Sequence, residues 1–557
     1  MKANRRLVLG SLASLPLASA ALANSGKVTV FEARRIVTME PAMPLARFVA
    51  VAGDMILGLG QSLADLSAWT EGREVVLDRR FASQVLMPGL IDPHVHPMLA
   101  AVMLNLPFIA PDDWHLPSGF YPGSQSPEAW RARLRAELAR SDANPFVCWG
   151  YHHLFHGPLD RAALDAIAPD RPVVVWQRSF HDLIVNTAAL KAWNLDQGEA
   201  FAAALAAHKA DPHDSSLERG LFSETGLPVA LAKLQPALLA PRKIAAGMQA
   251  MQRMMLTSGV TTISDMGTGA FADFATEAGL IRNAFERADN PSRVMLMMMA
   301  HQFASEADPL ARLEAIRKSY EGKHVRVDRR VKLLADGAFF AQNMRMNPPG
   351  FSDGHHGKWI TPPEQLRQLA GKFWQSGFSL HIHVNGDEGL DVVLDAVAAL
   401  EVRRRQSVTL EHLGYSTEAQ NRRIAQLGLM VSAQPNYLRV LGDIYGKVGL
   451  GSDRAAVMNR LGSLEAKGVP LGLHSDFNMA PIDPLYLAWI AANRLTIGGS
   501  VKAPAERLSV MKALRAITIE AAQVIGMDAM VGSLAPGKKA DFAALDRDPF
   551  AGGAAGL

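Results

Sequence analysis

This sequence is poor in cysteine and in net charge, and each shortage excludes a class of site or partner. The single cysteine among 557 residues, Cys148, excludes an intramolecular disulfide and any cluster of thiolate ligands. The formal net charge of +3 is small for this length, so the charge gives no reason to expect a nucleic-acid partner. A metal site in this chain must therefore use His, Asp, Glu or a modified Lys. The hydrophobic fraction of 49% and the charged fraction of 20% indicate an ordinary globular protein.

Long apolar runs are also scarce, and the one that stands out lies at the N-terminus. Arg5-Arg6 gives a basic start, residues 7–22 are apolar but interrupted by Pro16, and Ala21-Leu22-Ala23 is an A-x-A cleavage pattern. These are the three parts of a secretory signal, and the arginine pair also resembles a twin-arginine signal. We therefore expect residues 1–25 to be an export signal. The mature protein would be periplasmic, with no membrane span after signal removal.

Short strand patterns frame the rest of the chain. Residues 27–40 and 48–60 have the pattern of short strands, and residues 532–546 have two turns followed by a strand. We expect both chain ends to form one small β-sandwich domain. Residues 26–86 would give its N-terminal part, and residues 491–557 would give C-terminal helices and the remaining strands.

Between these segments, strand and helix patterns alternate, which predicts parallel strands joined by helical crossovers. About eight such units over roughly 390 residues predict the α/β fold class, as a (β/α)8 TIM barrel. The barrel would cover residues 87–490, with an aromatic-rich insertion or lid near 105–170. The candidate strands are 172–176, 260–264, 293–299, 331–334, 379–384, 407–411, 429–433 and 470–474. The candidate helices include 127–139, 242–256, 309–320, 363–375 and 417–427.

The most informative motif is His94-Val95-His96, which follows a short apolar strand at residues 85–87. Alternate side chains of a strand point to one face, so both imidazoles would aim at one point. Imidazole suits zinc, iron, nickel and copper. Reactive groups of a barrel lie at the carboxyl ends of its strands. Later candidate strands carry or end in further metal-ligand types, namely Lys332, His383, His412 and Asp476. His381 and His474 would face the same side one layer deeper, as structural residues.

Several motifs in fixed order carry a resemblance to a known family. They are residues 88–96, Gly386-Asp387 after His383, Glu411-His412, Gln434-Pro435, Ser475-Asp476 and residues 532–541. Together they resemble the amidohydrolase superfamily, in its YtcJ-like branch (amidohydrolase family 3), over roughly residues 27–550. The resemblance implies a metal-dependent hydrolase with a TIM barrel beside a β-sandwich.

The resemblance also implies roles for individual residues. His94 and His96 would bind one metal ion, and His383 and His412 a second. Lys332 would bridge the two as a carboxylated lysine. Asp476 would complete the metal site beside the catalytic water and act as the base. His181 matches a family position near the substrate, where we expect a catalytic and binding role, and Glu224 also matches a family motif.

Lys332 needs a chemical explanation, because an ammonium group cannot bind a metal. Burial in an apolar strand lowers the pKa of a lysine. The neutral amine can then react with CO2 and lose a proton, which gives an anionic carbamate able to bridge two cations. The alternative is a snorkelling or ion-paired lysine, and the site would then be mononuclear. The expected cofactor is therefore one or two divalent ions, with zinc expected.

The predicted reaction is hydrolysis of an amide-type carbon–nitrogen bond, other than a peptide bond, in a small molecule. Phe339, Phe340 and Trp114 suggest an apolar or aromatic group on that substrate. The lid histidines His115, His152, His153 and His156 are interpreted as surface-loop residues. Ester or lactone hydrolysis, or deamination of a heterocycle, would use the same ligands and stays open. A non-catalytic metal-binding protein and a homo-oligomer also stay open.

Overall fold

The alternating strands of the middle of the chain form an eight-stranded parallel sheet that closes into a barrel. The computed structural model describes residues 26–557. Neighbours in the sheet follow one another along the chain, and the first and last strands meet through a bridge between Val95 and Phe477. The predicted (β/α)8 barrel is therefore confirmed. Barrel strands 1 to 8 are Leu90–Val95, Val260–Asp265, Arg293–Met299, Val325–Leu334, Ser379–Val384, Val408–His412, Met430–Ala433 and Leu471–Leu473.

Helices connect consecutive barrel strands on the outside. Pro363–Gln375 shows why they form: proline fits the first helical position, and the buried Leu366, Leu369, Ala370 and Phe373 repeat at helical spacing. The helices of the barrel domain are Pro97–Met103, Pro241–Thr257, Phe274–Phe285, Pro309–Tyr320, Pro363–Gln375, Asp387–Ala398, Glu418–Gln426, Asn436–Leu441, Ile444–Lys447, Ser452–Ala456, Leu461–Ala466, Pro484–Asn493, Val510–Arg515 and Ile519–Val524. No helix within residues 26–557 is long and apolar enough to cross a membrane. The expected export signal lies outside the described residues.

The small β domain contains strands from both ends of the described chain. Its five-stranded sheet has the order Phe542–Leu545, Glu74–Pro88, Lys27–Val37, Leu45–Ala52, Met55–Gly60. Strand Glu74–Pro88 runs directly into barrel strand 1, and the N–H of Gly89 at the junction donates to the carbonyl of Asp541 at 2.9 Å. A Cβ atom at Gly89 would lie 2.3 Å from Oγ1 of Thr261, so glycine permits this close approach. The sheet therefore sets the start of the strand that carries His94.

The chain between barrel strands 1 and 2 builds a second five-stranded sheet. Its order is Ser215–Ser216, Leu221–Ser223, Asp182–Val185, Val173–Gln177, Phe146–Tyr151. The expectation that residues 172–176 form a barrel strand is therefore wrong. Val173–Gln177 pairs antiparallel with Asp182–Val185 across only four residues, which is too short for a parallel crossover.

The same inserted region also contains a hairpin and several helices. The hairpin pairs Trp114–Leu116 with Gly119–Tyr121. The helices are Pro127–Arg140, His153–His156, Arg161–Asp165, Thr187–Ala192, Gly198–Ala207 and Leu227–Leu238, and one further short helix, Ser67–Thr70, belongs to the small β domain. The insertion lies over the carboxyl end of the barrel, since its Trp176, Phe180 and His181 line the same cavity as His94.

Candidate active site

The predicted metal-ligand residues converge at the carboxyl ends of the barrel strands. His94 lies near the end of strand 1 and His96 just after it, while Asp476 follows strand 8. Lys332, His383 and His412 come from strands 4, 5 and 6. All six side chains line one cavity of about 330 Å³. Barrel topology thus gathers residues that are up to 382 positions apart in sequence (94 to 476).

Asp476 lies at the centre of this cluster. Its Oδ1 is 3.2 Å from Nε2 of His96 and 3.7 Å from Nε2 of His94. Its Oδ2 is 3.7 Å from Nδ1 of His412. The backbone of Asp476 is left-handed (φ 51°), a conformation that non-glycine residues rarely adopt and that aims the carboxylate into the group of rings.

The spacing of these donors fits a divalent cation. Ligand atoms of His94, His96 and Asp476 lie within 4.8 Å of one another, as do those of His94, His412 and His474. Nζ of Lys332 is buried and has no hydrogen-bond partner among residues 26–557, so this nitrogen is available for a bond to a further group. Imidazole nitrogens with a carboxylate are a donor set that zinc accepts.

The electrostatics keep His94, His383 and His412 neutral, as metal binding requires. For His96, burial alone would lower the pKa, but the hydrogen bond with Asp476 outweighs it and the pKa rises above its usual value. Burial lowers the pKa of His94 and His412 well below the usual value, and lowers that of His383 to about 3. Burial also lowers the pKa of Lys332 to about 8. For Asp476, burial alone would raise the pKa, but the hydrogen bond with His96 outweighs it and the pKa falls below its usual value.

Glu411 is a site residue whose role the sequence analysis missed. It is fully buried, and its two oxygens accept from Nδ1 of His94 at 2.7 Å and from Nδ1 of His381 at 2.6 Å. Burial alone would raise its pKa, but Lys332 and the hydrogen bond from His381 bring it to about 2. Strand alternation assigns only one of Glu411 and His412 to the barrel interior. The left-handed φ of His412 (73°) turns its ring inward as well.

Asp265 was also missed, although it ends barrel strand 2. It is buried, lines the cavity and has Oδ1 4.0 Å from Nδ1 of His96. The hydroxyl of Thr268 donates to its Oδ2 at 2.7 Å, and burial raises its pKa to about 6. The same strand-end rule that found His383 would have found Asp265, had the candidate strand extended one residue further.

His181 enters the cavity from the insertion, within a small hydrogen-bonded group. Its Nδ1 lies 2.8 Å from Oε2 of Glu224, and the amide of Asn343 donates to Oε1 of Glu224 at 2.9 Å. The backbone is left-handed at Phe180 (φ 66°) and at Glu224 (φ 41°). Burial alone would lower the pKa of His181, but Glu224 raises it above the usual value. The ring is a quarter exposed.

Most of the remaining cavity wall is apolar. Phe339 and Phe340 line it, and Phe339 stacks on Tyr437 with ring centroids 4.4 Å apart. Further wall residues include Leu99, Trp176, Leu231, Met266, Phe271 and Ile360.

Trp114 is not among the lining residues. It is fully buried and packs against Phe108, Trp149 and Phe477, so it lies behind the wall. The expectation that the lid histidines are surface residues is wrong for His152 and His156, which are both buried. His156 stacks on Trp130, and its Nε2 lies 2.7 Å from the carbonyl of Ser124.

Comparison with known proteins gives concordant results. The sequence model described as Amidohydrolase family matches residues 83–555. The N-substituted formamide deformylase of Arthrobacter pascens is 26% identical over 92% of each chain, and the putative amidohydrolase YtcJ of Bacillus subtilis is 24% identical over 84% of this chain and 85% of its own. An uncharacterized metal-dependent hydrolase from Pyrococcus horikoshii has the same fold, with a TM-score of 0.70 at 21% identity, covering 95% of this chain and 99% of its own.

Proposed function

This chain belongs to the amidohydrolase family, and on that premise we propose that it hydrolyses an amide-type carbon–nitrogen bond in a small molecule. The observation that carries the proposal is the position of Asp476, a carboxylate within 3.7 Å of nitrogens of His94, His96 and His412 at the floor of an apolar cavity. A relative named for the deformylation of N-substituted formamides supports a carbon–nitrogen bond as the target.

His94, His96, His383, His412 and Asp476 would hold one or two divalent ions, with zinc expected. When bound, such an ion lowers the pKa of a water from 15.7 to about 7 and polarises a carbonyl oxygen. The lowered pKa of Lys332 supports a neutral amine that reacts with CO2. Its nitrogen lone pair would form the new C–N bond and release a proton, leaving the anionic carbamate of a binuclear site.

Asp476 would move the proton during the reaction. Its pKa lies below the usual value, so the carboxylate is ionised at neutral pH and free to accept a proton from the attacking water. It would then pass that proton to the leaving nitrogen, which departs as an amine. Acid–base help of this kind contributes typically about 10²–10⁴-fold.

His181 would bind the substrate carbonyl. Because Glu224 occupies Nδ1, Nε2 is the atom left for the substrate. A donor at Nε2 would stabilise the negative charge that develops on the carbonyl oxygen during attack. The raised pKa of His181 favours the protonated ring, in which Nε2 carries a hydrogen.

The apolar wall would select substrates with an aromatic or branched apolar group. A cavity of about 330 Å³ is at the small end of ligand pockets, which suits a single ring attached to an amide. Phe339, Phe340, Phe271 and Trp176 offer ring faces to such a group.

A substrate panel with zinc-loaded protein tests the proposal. The panel contains N-substituted formamides and other neutral amides with aromatic or aliphatic groups, matched esters and lactones, and aminoheterocycles. We expect amine release from neutral aromatic amides. Acid release from esters alone, or ammonia release from heterocycles, would instead assign one of the two alternative reactions. Tight zinc binding without hydrolysis of any panel member would favour the alternative of a non-catalytic metal-binding protein.

We also propose that residues 1–25 direct export to the periplasm. The support is the pattern of basic residues, apolar run and A-x-A site. Fusion of residues 1–30 to a reporter that is active only after export tests it. We expect the fusion to be active. Replacement of Arg5 and Arg6 by lysine should abolish this activity if the twin-arginine route is used, and should leave it unchanged if the general route is used. An inactive fusion overturns the proposal.

A further inference from the structure

A buried arginine connects the insertion to the barrel beside the cavity. Arg178 directly follows strand Val173–Gln177, in the turn that leads to strand Asp182–Val185. Its side chain is fully buried. Three residues further along this turn, His181 enters the cavity. Arg178 itself does not line the cavity, so any part it has in the site must come from the groups that it binds.

The guanidinium of Arg178 contacts both the insertion and the barrel. Nη1 and Nη2 donate to the carboxylate of Asp112, in the insertion, and Nη2 lies 3.0 Å from Oδ2. Nη2 also donates to the carbonyl of Met479, which follows barrel strand 8, at 3.0 Å. Cζ lies 4.8 Å from the ring centroid of Phe340, which follows barrel strand 4. One side chain therefore joins the insertion to two loops at the barrel rim.

Two further hydrogen bonds fix Met479 within the barrel. Its N–H donates to the carbonyl of Asp476 at 2.6 Å, which closes a tight turn after strand 8. Its carbonyl also accepts from Nδ2 of Asn436 at 3.0 Å, and Asn436 is fully buried on the helix that follows strand 7. The acceptor that Arg178 uses thus belongs to the same turn as the carboxylate proposed as the base.

The main chain between Arg178 and His181 is also held by hydrogen bonds. The N–H of Phe180 donates to the carbonyl of Gln177 at 3.0 Å. The N–H of His181 donates to Oγ of Ser179 at 3.2 Å. These bonds make the turn one short unit, so a displacement of Arg178 would also displace His181.

The ion pair of Arg178 with Asp112 supplies direction more than stability. Desolvation of two buried charges offsets most of their attraction, so such a pair adds little to the free energy of unfolding. The guanidinium is planar, however, and its donors point in fixed directions. A group of this shape sets the relative positions of the carboxylate and the carbonyl that it binds.

A second contact restrains the ring of His181 from the same rim. Glu224, the partner of Nδ1 of His181, accepts from Asn343 in the loop after strand 4. That contact holds the ring, whereas Arg178 holds the main chain from which the ring projects. Both contacts lead to barrel loops.

We propose that Arg178 is a positioning residue that fixes the turn carrying His181 against the barrel loop carrying Asp476. The inference rests on the proposed function where it concerns catalysis, but the restraint on the turn is a property of the fold and is measured separately.

A double-mutant cycle tests the catalytic part. Arg178→Met is combined with Asp112→Asn, because loss of the arginine alone would leave a buried carboxylate unpaired. In the zinc-loaded enzyme we expect this paired variant to lower kcat for a hydrolysed amide by about 10²-fold, as a misplaced group does, and to keep the wild-type zinc content. In a His181→Phe background the same pair should change kcat by no more than about twofold. Equal losses in both backgrounds, or no loss in either, overturn the proposal.

Arg460→Met with Glu506→Gln is the matched control. Arg460 also joins a carboxylate to a backbone carbonyl, donating to Glu506 at 3.2 Å and to Ser416 at 2.9 Å. None of these three residues lines the cavity. We expect wild-type kcat from the control. A loss equal to that of the Arg178 pair would indicate a general cost of removing a buried arginine, and would overturn the proposal.

Hydrogen exchange of the metal-free proteins tests the restraint itself. We expect the amides of residues 178–184 to exchange about tenfold faster or more in the Arg178 pair than in the wild type, since a charged hydrogen-bond anchor is lost. The control pair should leave this segment unchanged. Unchanged exchange in the Arg178 pair overturns the proposal. A wild type that hydrolyses no amide contradicts the proposed function, and the exchange measurement then decides on Arg178 alone.

Arg178→Lys decides the matter if the paired variant does not fold. It keeps a positive charge opposite Asp112, but a single ammonium lacks the planar fork that reaches both acceptors. We expect a loss in kcat that again disappears in the His181→Phe background, with faster exchange of residues 178–184. Wild-type kcat together with wild-type exchange in Arg178→Lys overturns the proposal.

Discussion

The two halves of the candidate site are built in different ways. The metal-ligand half comes from the ends of parallel barrel strands, which are buried on both faces and hold His94, Lys332, His383 and His412 rigidly. The substrate half comes largely from loops and from the inserted sheet, which bring His181, Trp176 and Phe180 to the cavity. Under the proposed function, the barrel half would supply the metal ligands and the base, whereas the insertion would supply His181 and part of the wall around the substrate. Substitutions in the two halves should therefore differ in the size of their effects and in their effect on the pH dependence.

The largest effect is expected for Asp476→Asn, in the barrel half. Loss of the proton acceptor should lower kcat by about 10²–10⁴-fold, since the amide cannot take a proton from water. Zinc content should stay at the wild-type level, because histidines supply most ligands. Kinetics and elemental analysis of the same preparation measure both quantities. Substantial remaining activity would contradict the assignment of Asp476 as the base.

The next effect is expected for His181→Phe, in the insertion half. Removal of one donor to a developing oxyanion typically costs about 10²–10³-fold in kcat, and zinc content should not change. Full kcat with a raised KM would instead assign His181 to binding alone.

A smaller effect, with a change in pH dependence, is expected for Glu224→Gln. Glu224 raises the pKa of His181, so the neutral amide should let that pKa fall. If protonated His181 is the active donor, activity is lost as pH rises through its pKa, and the falling limb of the kcat profile should move to lower pH in the variant. An unchanged profile would contradict the coupling. Asn343→Ala, which removes the other hydrogen bond to Glu224, should shift the profile less.

The smallest effect is expected at the apolar wall. Phe271→Ala should raise KM about tenfold for an aromatic amide, which corresponds to about 1.4 kcal/mol of lost apolar contact, and leave kcat unchanged. A small aliphatic amide should show little change in KM. Phe120→Ala removes a half-exposed ring outside the cavity lining and serves as the control. An equal rise in KM for both amides would show that the aromatic group of the substrate does not contact Phe271.

The barrel half could be predicted from the sequence because its rules are local. Period-two alternation and the strand-end rule place His94, His383 and His412 at one rim once the strands are recognised. The helix bounds 309–320 and 363–375 were also correct, since proline marks the first turn of each helix and the apolar spacing marks its length. Glu411 was missed because the left-handed backbone of His412 breaks the alternation on which the argument relies.

The insertion half could be predicted only in part, because burial there is a property of the tertiary structure. Residues 172–176 are as apolar as a barrel strand, and nothing in their composition tells which sheet they join. Trp114 and His156 lie in a segment that is irregular in sequence, yet both are buried against other aromatic rings. The pairing of His181 with Glu224 joins residues 43 positions apart and leaves no local pattern.

The strand Glu74–Pro88, which pairs with Phe542–Leu545 and leads into His94, has a consequence for biosynthesis. His94 and His96 are translated at least 446 residues before Phe542 (96 to 542), where the neighbour of the strand that precedes them begins. Until residues 541–545 have been made, this edge of the small sheet lacks that neighbour, and the N–H of Gly89 at the start of the first barrel strand lacks its acceptor. The position of these two histidines is therefore completed late in synthesis, by a segment far along the chain.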